Sequence, residues 1–231
     1  MFMMIDPLYL MMLLPAMLLA GFASMKTKAT FKRYSRVAAS TGISGAEAAS
    51  RMLAQQGVDD VKIEPVRGFL SDHYDPLTRT LRLSPDVYSG RSLAAIGVAC
   101  HEAGHALQHA SHYLPLGLRS LLVPAAQIGS HGSYVIFFLG LFFGSLQLIQ
   151  LGIILFSMVV LFSLVTLPVE WNATVRAKRM MVGCGIVSQR EQADAGAVLN
   201  AAFLTYVASA FSAIMTLLYF LMRSGLLGGR R

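Results

Sequence analysis

His101, Glu102 and His105 stand in the order His-Glu-x-x-His, with Ala103 and Gly104 between them. On a helix, residues four apart share a face, with Cβ atoms about 6 Å apart. Two imidazoles at that spacing can hold one tetrahedral Zn2+. The glutamate between them reaches a water on that zinc without being a ligand itself. Hydrolysis of a peptide bond is the chemistry that calls for this arrangement. It requires that the motif lie on a helix, that a third ligand exist, and that both lie on one side of any membrane.

A catalytic zinc takes three protein ligands and keeps one position open. The side chains that compete for the third place are His73, His109, His112, His131, Glu170, Glu191 and Asp194. His109 lies eight residues beyond His101, about 12 Å along a straight helix. Bonds near 2 Å do not bridge that distance, so His109 is expected beside the site or at the surface. His73 falls in an expected turn, and His131 in an uncharged apolar stretch. Glu170 is the best placed: it follows Pro168 at the end of an expected span and opens the helical stretch Glu170-Trp171-Asn172-Ala173-Thr174. Glu191 and Asp194 come next, with capping of the last span as their other reading.

The elements that must position these residues are mostly apolar. The 231 residues are 55% hydrophobic and 13% charged, against about 25% charged in a soluble domain. The composition is that of an integral membrane protein with a modest polar domain, embedded in a lipid bilayer. The net charge of +7, from 19 Lys and Arg against 12 Asp and Glu, marks segments facing the cytoplasm. No basic run is interleaved with aromatics, so no nucleic-acid partner is expected. Cys100 and Cys184 make no disulfide framework and read as small buried thiols.

Pro7 to Met25 is long enough to span. No basic residue precedes it, which favours an uncleaved anchor over a signal peptide. The 50 residues between Arg119 and Glu170 contain no charge, which fits two spans near 121–143 and 148–168 with a tight turn at Gly144–Gln147. Gly140 and Gly144 make a G-x-x-x-G of the kind that lets helices approach. Ala197 to Met222 is the last span. The expected organisation is an anchor at 1–25, a polar zincin-like domain at 26–119, a transmembrane hairpin at 120–168, a third-ligand segment at 169–196, and a final span and tail at 197–231. Two spans between the motif and Glu170 return the chain to the same side. With 12 Lys and Arg in residues 26–119 and 4 in 169–195, that side is expected to be the cytoplasm.

In the polar region Ser44-Gly45-Ala46-Glu47 is a capping box opening a helix to about Gln56. Residues 61–66 and 77–83 alternate like strands around the turn Asp72–Pro76, which suggests a β-hairpin. Ser84-Pro85-Asp86 and Ser89–Ser92 are helix starts, and the helix then runs through the motif to about His112. Its apolar stretch Leu93–Cys100 is too short to span, which argues against an intramembrane protease.

The segments Val98–His109, Leu167–Ala177, Val198–Ala202 and Thr205–Ala208, with Asp72–Pro76 and Leu81–Ser84, resemble the YugP-type neutral zinc metallopeptidase family of membrane proteins. The likeness covers nearly the whole chain. It implies a zinc peptidase and leaves its substrates open. The chain is more distantly similar to the HtpX and CAAX-protease group, in which Glu-x-x-Ala-Asp supplies the third ligand. Thr174 stands where that group has Asp, and Asn172 is the neighbour that could take over its supporting role.

The expected fold is therefore an α-helical integral membrane protein with about four transmembrane helices and a small α+β zincin-like metalloprotease domain. In the expected mechanism Zn2+ held by His101, His105 and Glu170 activates a water. Glu102 takes the proton and passes it to the leaving amine. Tyr206, His109 and Arg176 are candidate donors to the oxyanion. The strand near Leu81–Leu83 is expected to pair with an extended substrate, a peptide or membrane-protein segment near the cytoplasmic face. The rival reading is a non-catalytic membrane scaffold or partner subunit with a structural or vestigial zinc site. Structural sites fill all four positions, often with Cys, and give Glu102 no purpose. A transporter would need ionisable residues inside its spans, and His131 alone meets that. A homo-oligomer and a regulatory membrane partner both stay open.

Overall fold

The computed structural model describes residues 6–226. In chain order the elements are α1 (Pro7–Tyr34), α2 (Gly45–Ala54), β1 (Lys62–Pro65), β2 (His73–Asp75), β3 (Thr80–Leu83), α3 (Pro85–Tyr88), α4 (Leu93–Ala110), α5 (Leu114–Phe143), α6 (Leu146–Gly183) and α7 (Gln189–Arg223). Among the described residues α1, α5, α6 and α7 are long and apolar enough to cross a bilayer. Their outward faces carry exposed Leu, Met, Phe and Ile side chains, as at Met11, Leu18, Ile128, Phe142 and Ile154. Lipid tails solvate such side chains as well as a protein core would.

The helices run further than the hydropathy suggests. The stretch after Pro168 does not open a new helix. It continues α6, which places Glu170 in mid-helix rather than at an N-terminus. Pro168 removes one N–H, but Val169, Ala173, Ala177 and Met181, at successive intervals of four, are all fully buried. That stripe keeps the helix going through the proline.

The chain divides into two compact units. One comprises the described parts of Met1–Phe22 and Thr205–Arg231, together with Gly117–Pro168. Its core is aromatic, with Phe137 and Phe220 stacked at 4.0 Å between ring centroids. Here α5 and α6 approach closely. A Cβ at Gly140 would lie 2.6 Å from the Ile149 nitrogen, and one at Gly152 2.9 Å from the Phe137 Cα. The G-x-x-x-G expectation is corrected at its second glycine. Gly144 lies past the end of α5 at φ +64° with open space around it, and the Ser145 N–H closes the turn on the Gly140 carbonyl at 2.9 Å. Gly144 therefore serves the turn, which needs a left-handed residue.

The second unit holds Ala23–Leu116 and Val169–Leu204. Its capping box forms as expected: the Glu47 N–H donates to the Ser44 hydroxyl, and the Glu47 carboxylate accepts from the Ser44 N–H. At Gly45 a Cβ would sit 2.2 Å from the Val87 carbonyl oxygen. Overpacking of this kind costs about 1–3 kcal/mol, so Gly45→Ala is expected to lower the thermal midpoint of the folded protein, read by circular dichroism.

The sheet corrects the expected hairpin. Its order is β1-β3-β2. β1 pairs parallel to β3, with Ile63 opposite Leu81, and β2 pairs antiparallel, with Tyr74 opposite Leu81. His73 is therefore in a strand, and the turn falls at 76–79. The alternation ran on through that turn because Leu77 mimics an inward position, although it is 94% exposed. The Asp75 carboxylate builds the turn by accepting from the Leu77 N–H and the Thr78 hydroxyl. β3 is the central strand, so it has no open edge. The expectation that a substrate pairs with Leu81–Leu83 is overturned, because β1 and β2 already take both sets of hydrogen bonds.

The Thr78 hydroxyl, followed by the Arg82 guanidinium, holds the Asp75 carboxyl down at about 2. In an unfolded chain it titrates near 3.9. A depressed carboxyl stabilises the fold above its unfolded value, and that contribution is lost as pH falls through the folded value. Amide protection at Thr80–Arg82 is therefore expected to weaken between about pH 4 and pH 2. Asp75→Asn should lower it at neutral pH and flatten its acid dependence in hydrogen exchange.

Candidate metal centre

Ser92 caps α4 by accepting from the Ala95 N–H at 3.2 Å. Leu93, Ala94, Ala95, Ile96, Ala99 and Cys100 are buried on all sides, so α4 is the central helix of its unit. Two glycines set its neighbours. A Cβ at Gly97 would lie 3.1 Å from the Ala195 oxygen, and one at Gly104 3.0 Å from the Ala173 oxygen. Without those Cβ atoms the starts of α7 and of the polar part of α6 can lie directly on the motif helix. Glu170, three residues before Ala173, then faces the two histidines.

His101 Nε2 lies 3.2 Å and His105 Nε2 3.5 Å from Glu170 Oε2. The three side chains can each offer one ligand atom, all within 4.8 Å of one another. Ligands bonded at about 2.05 Å in tetrahedral geometry stand about 3.3 Å apart, which the two His–Glu distances match. Glu170 is only 1% exposed. A carboxylate buried to that degree is costly unless positive charge is supplied. Burial opposes a charge on His105, but the hydrogen bond and charge of Glu170, with Glu102 and Gln108, outweigh it and raise the imidazole pKa. Two imidazoles and a carboxylate form a donor set suited to zinc, and the residues present fit that ion.

The outer nitrogens are also tied. His105 Nδ1 is 2.9 Å from Gln108 Oε1, and His101 Nδ1 is 3.4 Å from Thr174 Oγ1. Bonds of this kind fix the tautomer and aim Nε2 at the metal position. Gln108 is fully buried and donates from Nε2 to the Val169 oxygen at 2.8 Å and to Asn172 Oδ1 at 3.0 Å. The sequence reading missed it. The available signal was an amide one turn past His105, on the helix that carries the motif. Thr174 touches His101 itself, whereas Asn172 accepts from Gln108 and from Arg176 Nε at 2.8 Å. Gln108→Leu is expected to weaken zinc affinity about 10–100-fold, measured by competition with a chromogenic chelator.

Among the described residues, none of the other candidates for third ligand joins the cluster. Glu191 closes the start of α7 by accepting from the Ser188 N–H and hydroxyl, and from the Ser40 N–H. Asp194 pairs with the Tyr34 hydroxyl. His73 Nδ1 bonds the Ser71 oxygen on an exposed edge. His112 follows α4 at φ +50°. His131 belongs to α5 in the other unit and bonds the Ser130 hydroxyl. Of the proposed oxyanion donors, His109 lies on α4 with its Nδ1 2.9 Å from the Tyr74 hydroxyl. Arg176 has its guanidinium 6.0 Å over the Tyr113 ring. Tyr206 belongs to the other unit, on α7. Cys100, beside His101, is fully buried, and burial pushes its thiol up, which leaves it inert.

Membrane-length helices joined to a small α+β unit, in which α4 and α6 bring His101, His105 and Glu170 together, are what a membrane metallopeptidase requires. Residues 9–225 match the model of the family described as "putative neutral zinc metallopeptidase", and the chain belongs to that family. It is 48% identical over 215 residues to the Bacillus subtilis (strain 168) protein named "Putative membrane protease YugP", covering 93% of this chain and 96% of that one. No solved structure matches the chain.

Proposed function

We propose that this chain is a membrane-bound zinc endopeptidase whose site faces the cytoplasm, with His101, His105 and Glu170 as zinc ligands and Glu102 as general base. The observation that carries the reading is the convergence of His101, His105 and Glu170 within 4.8 Å, with Glu102 between the two histidines on the same helix. A zinc ion in such a site polarises a carbonyl and lowers the pKa of water toward about 7.

The chain's own residues supply the remaining steps. Glu102, half-buried beside the cluster, takes the proton from the attacking water and delivers it to the leaving nitrogen. Gln108 and Thr174 hold the imidazoles in one tautomer, so that no reorientation is needed during turnover. His109, tethered by Tyr74, is the oxyanion donor favoured by its place one turn beyond His105. Arg176 is held by Asn172 and is less free to turn inward. Substrates are peptides or membrane-protein segments reaching the cytoplasmic surface. The basic excess in residues 26–119 supports that orientation.

The test is cleavage of an unstructured fluorogenic peptide by the purified full-length chain in detergent. 1,10-Phenanthroline is expected to abolish cleavage, and added zinc to restore it. Cleavage that persists after metal has been stripped and verified absent would overturn the reading.

A further inference from the structure

The loop between β1 and β2 presents apolar side chains to the outside. Phe69 is 61% and Leu70 39% exposed, and Arg67 beside them is exposed as well. Leu70 has φ +54°, a left-handed conformation that a bulky side chain rarely adopts. Burial in water-excluded surroundings would offset such strain, and Leu70 is not buried within the protein.

The loop is held against α1. The Phe69 ring meets Phe31 edge-on at 5.7 Å, and Phe31 itself is buried. Phe31 lies six residues past Met25, where the apolar run of α1 ends, about 9 Å along the helix. The headgroup layer of one leaflet is about 5–8 Å deep. A bilayer edge at Met25 would put Phe31 just beyond the headgroup layer, with the Phe69 ring one contact away from it. Residues 26–36 of the same region contain Lys26, Lys28, Lys32, Arg33 and Arg36 and no acidic residue. All five are exposed, and Lys28 and Lys32, four apart, share a face of α1.

We infer that the loop 66–71 and the basic stretch 26–36 form one docking surface for anionic phospholipid headgroups. The charges draw in the headgroups at about 1 kcal/mol per Lys or Arg near the surface, and Phe69 and Leu70 enter the interfacial layer. The consequence is positional. The loop joins the two edge strands, and β2 carries Tyr74, which bonds His109 on α4. Seating the loop on the bilayer fixes the height of the sheet, and with it the motif helix, above the surface.

The test places a reporter in the loop of the full-length chain. Trp171 is replaced by Phe, and Phe69→Trp then supplies the one indole. Circular dichroism checks that the fold is kept. The protein is reconstituted in vesicles of phosphatidylcholine alone, or of equal parts phosphatidylcholine and phosphatidylglycerol. In the anionic vesicles the indole emission is expected to shift to the blue, to be quenched by lipids brominated near the headgroup, and to resist acrylamide. In phosphatidylcholine alone these effects should weaken, and replacing Lys28, Lys32 and Arg33 together by Gln should remove the difference between the two lipids. An indole that stays water-exposed in both, or is quenched equally in both, overturns the inference. So does a signal that follows the protein-to-lipid ratio rather than lipid charge, which would assign the patch to a second copy of this chain.

Discussion

Glu102→Gln is expected to lower kcat/KM by about 10²–10⁴-fold, the range for losing a positioned general base. The replacement is nearly isosteric at a half-buried position, so the fold should be unchanged. Glutamine keeps the shape and polarity but cannot take a proton at neutral pH. Glu102 lies outside the three-membered ligand cluster, so zinc content should stay at the wild-type level. The loss should therefore fall mainly on kcat, because the group acts on the attacking water rather than on ground-state binding. A variant that is folded, zinc-loaded and as fast as wild type would remove the general-base assignment. A variant that also loses its zinc would make Glu102 a ligand.

Glu170→Gln is expected to abolish stable zinc binding and activity together, with a second effect on the metal-free fold. Without metal, wild type keeps a carboxylate that is 1% exposed beside two imidazoles. The two imidazoles compensate that carboxylate, and it draws His105 toward its charged form. Removing one partner of a compensated buried pair costs stability, and the neutral amide gives up that attraction. Metal-free Glu170→Gln should therefore unfold at a lower temperature than metal-free wild type. Zinc should raise the midpoint of wild type alone, since a ligand at a thousandfold over its Kd contributes about 4 kcal/mol. Thermal unfolding of both proteins with and without zinc separates the two effects. Equal stabilisation of both by zinc would show that the metal is held without Glu170.

The motif histidines were legible because a period of four on a helix is a strong constraint. Leu93–Ala110 needed only Ser92 as a cap and a buried apolar stripe to form that helix. Glu170 was legible for a less local reason: two uncharged spans must return the chain to the side it left. The interruption expected at Pro168 was wrong, because the buried stripe Val169, Ala173, Ala177 and Met181 outweighs one missing N–H. Gln108 offered only the weak signal of an amide one turn past His105. Its role depends on the Val169 carbonyl and Asn172, more than sixty residues away, and nothing in its immediate neighbours signals that contact. The sheet failed for the same reason. Strand alternation was visible in residues 61–66 and 77–83, but which strand sits in the middle is a non-local choice. That choice also removed the substrate-pairing role first assigned to Leu81–Leu83.

Zinc content per chain decides between a metal site and none, by elemental analysis of the purified, folded wild type, His105→Ala and Glu170→Ala after zinc loading and removal of loosely bound metal. Close to one zinc per chain is expected in wild type, with loss of it in both variants. Zinc retained in Glu170→Ala, or none bound by wild type, would contradict a zinc site made by His101, His105 and Glu170.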